Sequence, residues 1–514
     1  MATQWLSTKQ KLEATGKSLA LSLIGLLVFF SRDNIPESVF VLTGEGDGGG
    51  HIEIPDRFPA LKELAKQDKL LEASSSLLSQ SLISKVDEKK IFSINPSMYT
   101  IVFEAMTPSE KQESYENAAY LLYRNFPGKA KDGEDMKMRW NLCNTYFPHV
   151  LKHLERAEEG KVVKSEYSAQ MIMNTVRYAW EIGDFGQVKS LLTKCHQACQ
   201  EIKTVDTGLT EAEALHFAAW LNAKMGKLAP AKTPSEAVIM TKQALDLRLK
   251  RLPKDDPIIG GAYGNLAMFT IATAEYEDSL KYSQDCLDIR MLNEKNETTN
   301  ISVTHNYFGW CYAKMGDNEK SRWDSWKVSG NFEDADACYK TAQEYYSKAE
   351  KSFKEGINVL EKNFGARARK GPQIIWPMYA LRNLCLSLGR EDEAYQLHTD
   401  AHNLGISLYG STSPRVFIWQ FKDAWHDYHK GKYALARQKS EALLNEMNRQ
   451  SFYIGHVART QYFLSRILEA QGDSVASQRF LDDAIKNAET LNGEGWRPTR
   501  GEQDFDDLVF FHDR

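Results

Sequence analysis

The chain has 514 residues, and 64 Lys and Arg against 69 Asp and Glu give it a formal net charge of −5. This length holds several domains or one long repeat array, and a hydrophobic content of 42% excludes a disordered chain. The near-neutral balance argues against a nucleic-acid partner, which usually needs a basic surface, and against electrostatic membrane binding. Seven scattered cysteines without a CxxC motif predict buried, reduced thiols and a cytoplasmic location.

The longest apolar run, Ser18 to Phe30, is shorter than the ~18 residues that a membrane span requires. It lacks the small-residue cleavage pattern of a signal peptide, so we expect a buried core helix. The glycine-rich loop at 44–51 lacks the Lys-Ser/Thr pair of a phosphate-binding loop. The sequence therefore predicts no nucleotide or other cofactor.

The N-terminal region mixes helices with one hairpin. A short helix is predicted from Asn34 to Phe40 and another over 57–65. The alternating segments 82–86 and 91–94 flank a charged turn and predict two paired strands. Helix starts follow at Asn95-Pro96 and at Thr107. This order predicts a winged-helix-like module over 1–106, joined by a helical connector over 107–164.

A turn motif then recurs about every 42 residues and separates amphipathic helices. It is centred on Gly183, Gly226, Ala274, Gly316, Gly389, Gly431 and Gly472. One interval, from Gly316 to Gly389, measures 73 residues and indicates an insertion near 320–372, interpreted as a helical flap that carries Trp323 and Trp326. Such periods predict stacked helix pairs with one shared core. We expect about seven pairs over 165–495, with a tail over 496–514.

The turns share further marks. An aromatic residue often lies two positions after the turn, a small residue lies five after it, and a proline starts some pairs. The residues concerned are Phe185, Tyr276 and Tyr433; Ser279, Ala394, Ala436 and Ser477; and Pro257 and Pro414.

These marks resemble the tetratricopeptide (TPR) repeat, in the long-helix subtype of kinesin light chains and of fungal NLR-like proteins. LALSLIGLLVFFSRDNIPESVF and the segment 76–127 resemble the winged-helix module that follows the nucleotide-binding domain of the latter. That nucleotide-binding domain is missing from this sequence, which puts an ATP-driven switch in doubt. The resemblance implies an all-α, right-handed superhelix in which the first helix of each pair lines a concave groove.

Positions three, six, nine, ten and thirteen before each turn share the groove face of the first helices. This arithmetic predicts a ligand-binding face rich in aromatic residues, with an arginine near each end and asparagines that could hold a peptide backbone. Its members are Arg177, Trp180, His216, Phe217, Trp220, Asn265, Met268, Asn306, Tyr307, Trp310, Trp376, Tyr379, Asn383, Phe421, Trp425, Tyr428, Tyr462 and Arg466.

Two functions suit such a face. The first is a binding protein whose groove captures a peptide, a partner helix or an apolar ligand. The alternative is a cofactor-independent isomerase or cyclase acting on an apolar small molecule in fungal secondary metabolism, with Tyr307, Tyr428, His216 or Arg466 as the candidate polarising group. His398 and His402 have the spacing of metal ligands, but the sequence identifies no third ligand, so no metal is predicted.

Overall fold

The computed structural model describes residues 2–40, 54–128, 139–224, 236–449 and 454–509. The chain forms two compact units, Met1–Ala214 and Leu215–Arg514. The glycine-rich loop at 44–51 and the predicted turn at Gly226 lie outside the described residues. Within the described ranges, every helix is too short or too polar to cross a membrane.

The first unit begins with a mixed region of helices and one small sheet. Its elements are α1 (Ala2–Ala14), α2 (Ser18–Leu27), β1 (Ile35–Pro36), α3 (Pro59–Leu64), α4 (Gln67–Ser79), β2 (Ile83–Val86), β3 (Ile91–Ile94), α5 (Pro96–Ala105) and α6 (Pro108–Asn125). The predicted hairpin is confirmed, since β2 pairs antiparallel with β3 and Ile83 lies opposite Ile94. The apolar run forms the buried helix α2, also as predicted.

The helix predicted from Asn34 to Phe40 is wrong in its first half. Ile35 and Pro36 form an edge strand that pairs antiparallel with β3, and only Glu37–Phe40 form a single 3-10 turn. Asn34 has a φ of 59°, which ends any helical path before Ile35. The buried side chain of Ile35 then joins the sheet core, so pairing with a distant strand overrides the local pattern.

Both predicted helix starts are confirmed. The Asn95 side chain accepts a hydrogen bond from the Ser97 backbone N–H at the start of α5. Thr107 and Glu110 form a reciprocal capping box at the start of α6. The assignment of this region to the winged-helix class stays a prediction.

Paired helices make up the remainder of the described chain. They are α7 (Trp140–Glu159), α8 (Glu166–Glu181), α9 (Phe185–Glu201), α10 (Gly208–Lys224), α11 (Glu236–Leu249), α12 (Pro257–Ala272), α13 (Tyr276–Leu292), α14 (Glu294–Val328), α15 (Phe332–Phe364), α16 (Ile375–Ser387), α17 (Glu391–Tyr409), α18 (Phe417–His429), α19 (Tyr433–Arg449), α20 (Ile454–Ala470), α21 (Ser474–Asn492) and α22 (Glu502–Asp506). The boundary between the two units falls within α10. The predicted all-α class of TPR-like helix pairs is confirmed.

The predicted turns have a left-handed residue at their centre. Gly183, Gly389, Gly431 and Gly472 have φ between 72° and 82°, and Ala274 adopts the same conformation with a φ of 62°. Small residues five positions later allow close approach within a pair. The Ser279 hydroxyl, for example, donates to the Ala267 carbonyl over 2.9 Å. The turn conformation and the small residue together set how the two helices of a pair meet.

The turn predicted at Gly316 is wrong. Helix α14 runs straight through it, and the turn comes at Gly330, which has a φ of 78°. Phe332 and Ala335 then lie two and five positions after Gly330, as at the other turns. The long interval is therefore not a flap, because the extra residues lengthen α14 to 35 residues and α15 to 33.

Gly316 instead marks a close contact between the two long helices. An ideal Cβ on Gly316 would lie 2.6 Å from the Tyr346 ring, and one on Gly309 would lie 2.4 Å from the Phe353 ring. Each ring thus fills the space that a side chain would take. The seven-residue spacing on both helices is typical of helices that pack side by side over several turns.

We expect Gly309→Ala to lower the free energy of unfolding by about 1–3 kcal/mol, since the added methyl group overlaps the buried Phe353 ring. Chemical denaturation followed by circular dichroism measures this change. Gly261→Ala is the matched control, because a Cβ there meets no atom within 4 Å. The control should be neutral or stabilising by up to ~1 kcal/mol, as alanine is the better helix former. Equal effects of the two variants would contradict the close contact.

The stability of the first unit should depend on pH through His153. This fully buried ring stacks on Tyr115 at 4.6 Å, and burial lowers the pKa of His153 to about 3. The unfolded chain takes up a proton below about pH 6.5 while the folded chain does not, so stability is lost as the pH falls through that value.

The loss attributable to this one group should reach about 2 kcal/mol at pH 5. His153→Phe keeps the ring stack but cannot take up a proton. Between pH 7 and pH 5 its free energy of unfolding, measured by urea titration, should therefore fall by about 2 kcal/mol less than that of the wild type. Gln197→Ala, a change at an exposed position of α9 without a titratable group, should leave the pH dependence of the wild type unchanged. A His153→Phe variant with the wild-type pH dependence would show that this ring is not the titrating group.

Candidate functional site

The predicted ligand-binding residues divide by exposure. Some are buried: Asn265, Met268, Asn306, Tyr307, Trp310, Tyr379 and Phe421. Others are half-buried: Arg177, Trp180, His216, Phe217, Trp220, Asn383, Trp425, Tyr428 and Tyr462. Trp376 and Arg466 are exposed. The buried rings contribute to packing within their unit, whereas the half-buried side chains keep part of their surface open to solvent.

In the first unit, Arg177 already has an anionic partner. Its guanidinium forms a two-pronged ion pair with Glu213, at 2.8 Å through Nε, and also donates to Asn174 over 2.5 Å. Trp180 packs edge-on against Phe185 of the following turn at 5.4 Å. Both side chains thus hold neighbouring elements of this unit together.

In the second unit, Asn265 links two other predicted residues. Its Nδ2 donates to Nδ1 of His216 over 2.5 Å, and its Oδ1 accepts from Trp220 Nε1 over 3.2 Å. The amide therefore orients an imidazole and an indole of α10 from α12. The sequence pattern predicts all three residues on one face but does not predict this bridge.

The middle of the predicted face is packed. The Tyr307 ring lies against Gly264, and burial raises the pKa of Tyr307 to about 12. Trp310 meets Phe353 edge-on at 5.7 Å. Among the described residues, the buried Asn306 Oδ1 has no hydrogen-bond partner.

The candidate catalytic groups do not form one cluster. Tyr307 is buried on α14, His216 is bonded to Asn265, and Arg466 forms an ion pair with Glu469 at 2.7 Å on the surface of α20. Tyr428 alone lies in an aromatic cluster. This arrangement gives no support to the isomerase alternative.

That cluster, here the aromatic patch, consists of Phe421, Trp425, Tyr428 and Phe463. Phe463 joins α20 to α18, since its ring lies 5.3 Å from Phe421 and 5.4 Å from Tyr428. Trp425 lies 3.9 Å from His429. Phe421 and Phe463 are buried, whereas Trp425 and Tyr428 keep part of their surface open to solvent.

Two buried cations, Lys422 and Arg459, lie over the Phe421 ring of the patch, and a third, Arg382, is buried on α16. The Arg459 guanidinium lies 4.1 Å from the centre of the Phe421 ring, and the Lys422 ammonium lies 5.8 Å from the same ring. Arg382 is the largest fully buried side chain and donates to His426 Nε2 over 3.1 Å. The sequence pattern does not identify Arg382 and Arg459 as candidate site residues.

For two of these three cations, the spacing from the turn predicts a position on the groove face. Lys422 lies nine before Gly431, and Arg459 lies thirteen before Gly472, in the same row as Trp376. Arg382 lies seven before Gly389, outside every predicted row. Its place in the site depends on His426 of the next pair, which no local pattern could reveal.

On the other side of α18, Asp423 joins the two histidines of α17. His398 Nε2 donates to one carboxylate oxygen over 2.6 Å and His402 Nδ1 donates to the other over 2.8 Å. Burial opposes ionisation, yet these bonds hold the pKa of Asp423 well below its usual range. Asp423 is the third member of the group with His398 and His402, which the sequence pattern does not identify.

This trio could be a metal site, since its donor atoms lie within 4.8 Å of one another. However, two ligands at 2.0–2.1 Å from a tetrahedral zinc would lie about 3.3 Å apart. The observed separations of 2.6 and 2.8 Å are those of direct hydrogen bonds. The trio therefore forms a hydrogen-bonded link between α17 and α18, in which His398 Nδ1 and His402 Nε2 have no hydrogen-bond partner among the described residues. The sequence prediction of no metal stays a prediction.

No protein-family model matches the chain, and no curated protein matches it. Among solved structures, the chain is similar to a Rap protein in complex with competence and sporulation factor, with 11% identity and a TM-score of 0.45 over 76% of this chain and 95% of that chain. It is also similar to the Rap conjugation gene regulator of plasmid pLS20 in complex with the Phr* peptide, with 14% identity and a TM-score of 0.43 over 77% and 95% of the two chains. A putative kinesin light chain of Podospora anserina with TPR-like repeats shows 13% identity and a TM-score of 0.32 over 48% and 100%. Likenesses this distant carry no argument about function.

We expect Asp423→Asn to lower the free energy of unfolding by about 1–3 kcal/mol, because an amide cannot accept from both histidines and leaves one buried N–H unsatisfied. Dialysis of the wild type against EDTA should leave its unfolding free energy unchanged. A structural zinc would instead contribute on the order of 10 kcal/mol, so a large loss of stability in EDTA would show that the trio holds a metal. Urea titration of the three samples decides between these outcomes.

Proposed function

We propose that the second unit is a TPR-type binding module and that the aromatic patch captures an apolar segment of a partner protein. The observation that carries this proposal is the pair of half-buried rings on α18, Trp425 and Tyr428, of which Tyr428 packs at 5.4 Å against the buried Phe463 ring. Large aromatic side chains that are fixed by packing yet partly open are typical of residues that dominate binding energy.

The extent of the face supports a protein segment over a compact small molecule. Trp376 on α16 is 42% exposed and lies on the same predicted face as the patch residues of α18 and α20. The polar side chain of Asn383 lies on the same predicted face and accepts from Arg382 over 2.6 Å. A surface spread over three successive first helices suits an extended or helical segment, which contacts several positions at once.

An apolar small molecule remains the other occupant that this patch could take. The proposed interaction or regulatory role, and the relationship to fungal NLR-like proteins, rest on the sequence motifs quoted above. We do not propose duplex nucleic acid as a partner, because the net charge of −5 does not favour binding to a negatively charged phosphate backbone.

Photo-cross-linking tests the proposal. With p-benzoylphenylalanine at position 428 in the full chain, we expect one discrete protein adduct in cells of the source organism, identified by mass spectrometry. Trp425→Ala should weaken binding of that partner by about 30-fold or more, as loss of a central tryptophan anchor costs about 2 kcal/mol.

Tyr339 provides the matched control, because it is an exposed tyrosine on the second helix α15. The cross-linker at position 339 should not give the same adduct, and Tyr339→Ala should leave the affinity unchanged. Native mass spectrometry of the purified protein covers the other occupant. A small molecule that is bound by the wild type and lost in Trp425→Ala, without any protein adduct at position 428, would overturn the proposal.

A further inference from the structure

A cleft with a volume of about 170 Å³ lies among four helices of the first unit. Helices α1, α2 and α5 line it mainly with apolar side chains, among them the buried Trp5, Ile24 and Val102. Helix α6 lines it only with polar side chains, which are Glu110, Glu113, Ser114 and Asn117. Since these four positions share one helix face, the cleft has one polar wall and three mainly apolar walls.

Asn117 is a buried polar residue of this wall. Only 5% of its surface is exposed, and within the described ranges its side-chain oxygen Oδ1 has no hydrogen-bond partner. Such an oxygen costs folding free energy, whereas a leucine of similar shape at the same position would avoid that cost. Packing alone therefore does not account for Asn117, and its carbonyl oxygen offers an acceptor at the wall of the cleft.

Close contacts between the helices hold the polar wall in place. An ideal Cβ on Gly25 of α2 would lie 2.9 Å from the Ser114 hydroxyl oxygen, so the glycine allows α6 to approach α2 at this point. Lys9 of α1 forms an ion pair with Glu110 at 2.6 Å. The cleft thus lies between helices that are already packed and linked, as is typical of a preformed ligand site.

The lining of the cleft carries more negative than positive charge. Its charged residues are Lys9, Glu110 and Glu113, and Lys9 is paired with Glu110. Glu113 is exposed and lies four positions before Asn117, so the two side chains are neighbours on the surface of α6. A carboxylate beside a carbonyl oxygen favours a ligand group that is positively charged and donates hydrogen bonds.

We propose that this cleft binds a small molecule with a protonated amine on an apolar body the size of one aromatic ring. The ammonium group donates to Asn117 Oδ1 and is attracted to the Glu113 carboxylate, while the apolar body packs against Ile24 and Val102. The volume suits this class of ligand, because a cavity of ~150 Å³ holds a benzene molecule. The site belongs to the first unit and goes beyond the proposed function, which concerns the second unit.

Titration of the full chain with three probes at pH 7, followed by ligand-observed NMR, tests the proposal. The probes are benzylamine, benzyl alcohol and benzoate, which share one ring and carry a positive, a neutral and a negative group. We expect benzylamine to bind about tenfold more tightly than benzoate or better, with benzyl alcohol between them. Absence of saturable benzylamine binding, as expected of a cleft that holds only water, or equal affinity of benzylamine and benzoate would overturn the proposal.

Variants locate the binding in the cleft. Asn117→Leu keeps the shape of the side chain but cannot accept a hydrogen bond, so it should weaken benzylamine binding by about tenfold. Glu113→Gln should weaken the binding of benzylamine but not of benzyl alcohol. Glu104→Gln makes the same chemical change at an exposed position of α5 outside the lining and should alter neither. Unchanged benzylamine affinity in Asn117→Leu would overturn the assignment, and where that variant does not fold, unchanged affinity in the surface variant Glu113→Gln would do so.

Discussion

The left-handed turn between paired helices is the constraint on which the architecture depends. A residue with φ near +70° reverses the chain within three residues, and a small residue five positions later lets the second helix lie close against the first. Since each turn sets the register of the helix before it, positions counted back from the turn share one face. Lys422 and Arg459 come from different pairs, yet both reach the Phe421 ring for this reason.

The longest helix pair, α14 and α15, shows that the turn does not set the length of the helices. Between α14 and α15 the turn lies at Gly330, while Gly309 and Gly316 admit the rings of Phe353 and Tyr346. Glycine thus serves two physical purposes in one hairpin, reversal of the chain and close packing of helices. A helix pair can lengthen by several turns without losing its place among shorter ones, provided that the side-by-side contact repeats every seven residues.

This double use of glycine explains which parts of the fold the sequence predicts. The turns at Gly183, Gly389, Gly431 and Gly472 carry enough local information to be found, and even Ala274 is found by its position in the repeat. The sequence wrongly predicts a turn at Gly316 because MGDN matches the local turn pattern. In the structure, α14 continues through Gly316, and the glycine packs against Tyr346, thirty residues later. The helix predicted at Ile35 is wrong for the same physical reason, since the strand partner of Ile35 lies more than fifty residues away in the sequence.

In the candidate site, too, the sequence predicts the features that depend on local helical periodicity and not those that depend on contacts between helix pairs. Helical periodicity places Trp425, Tyr428 and Lys422 on one face, but periodicity cannot tell a half-open ring from a buried one such as Tyr379. Nor can it pair Arg382 with His426 or Asp423 with His398, because these contacts join separate helix pairs. Lys422, Arg459 and Arg382 come from three separate first helices, so no pattern within one helix shows that all three are buried. The proposal places a binding function at α18 and α20 because Trp425 and Tyr428 keep part of their surface open to solvent, whereas Phe421 and Phe463 are buried.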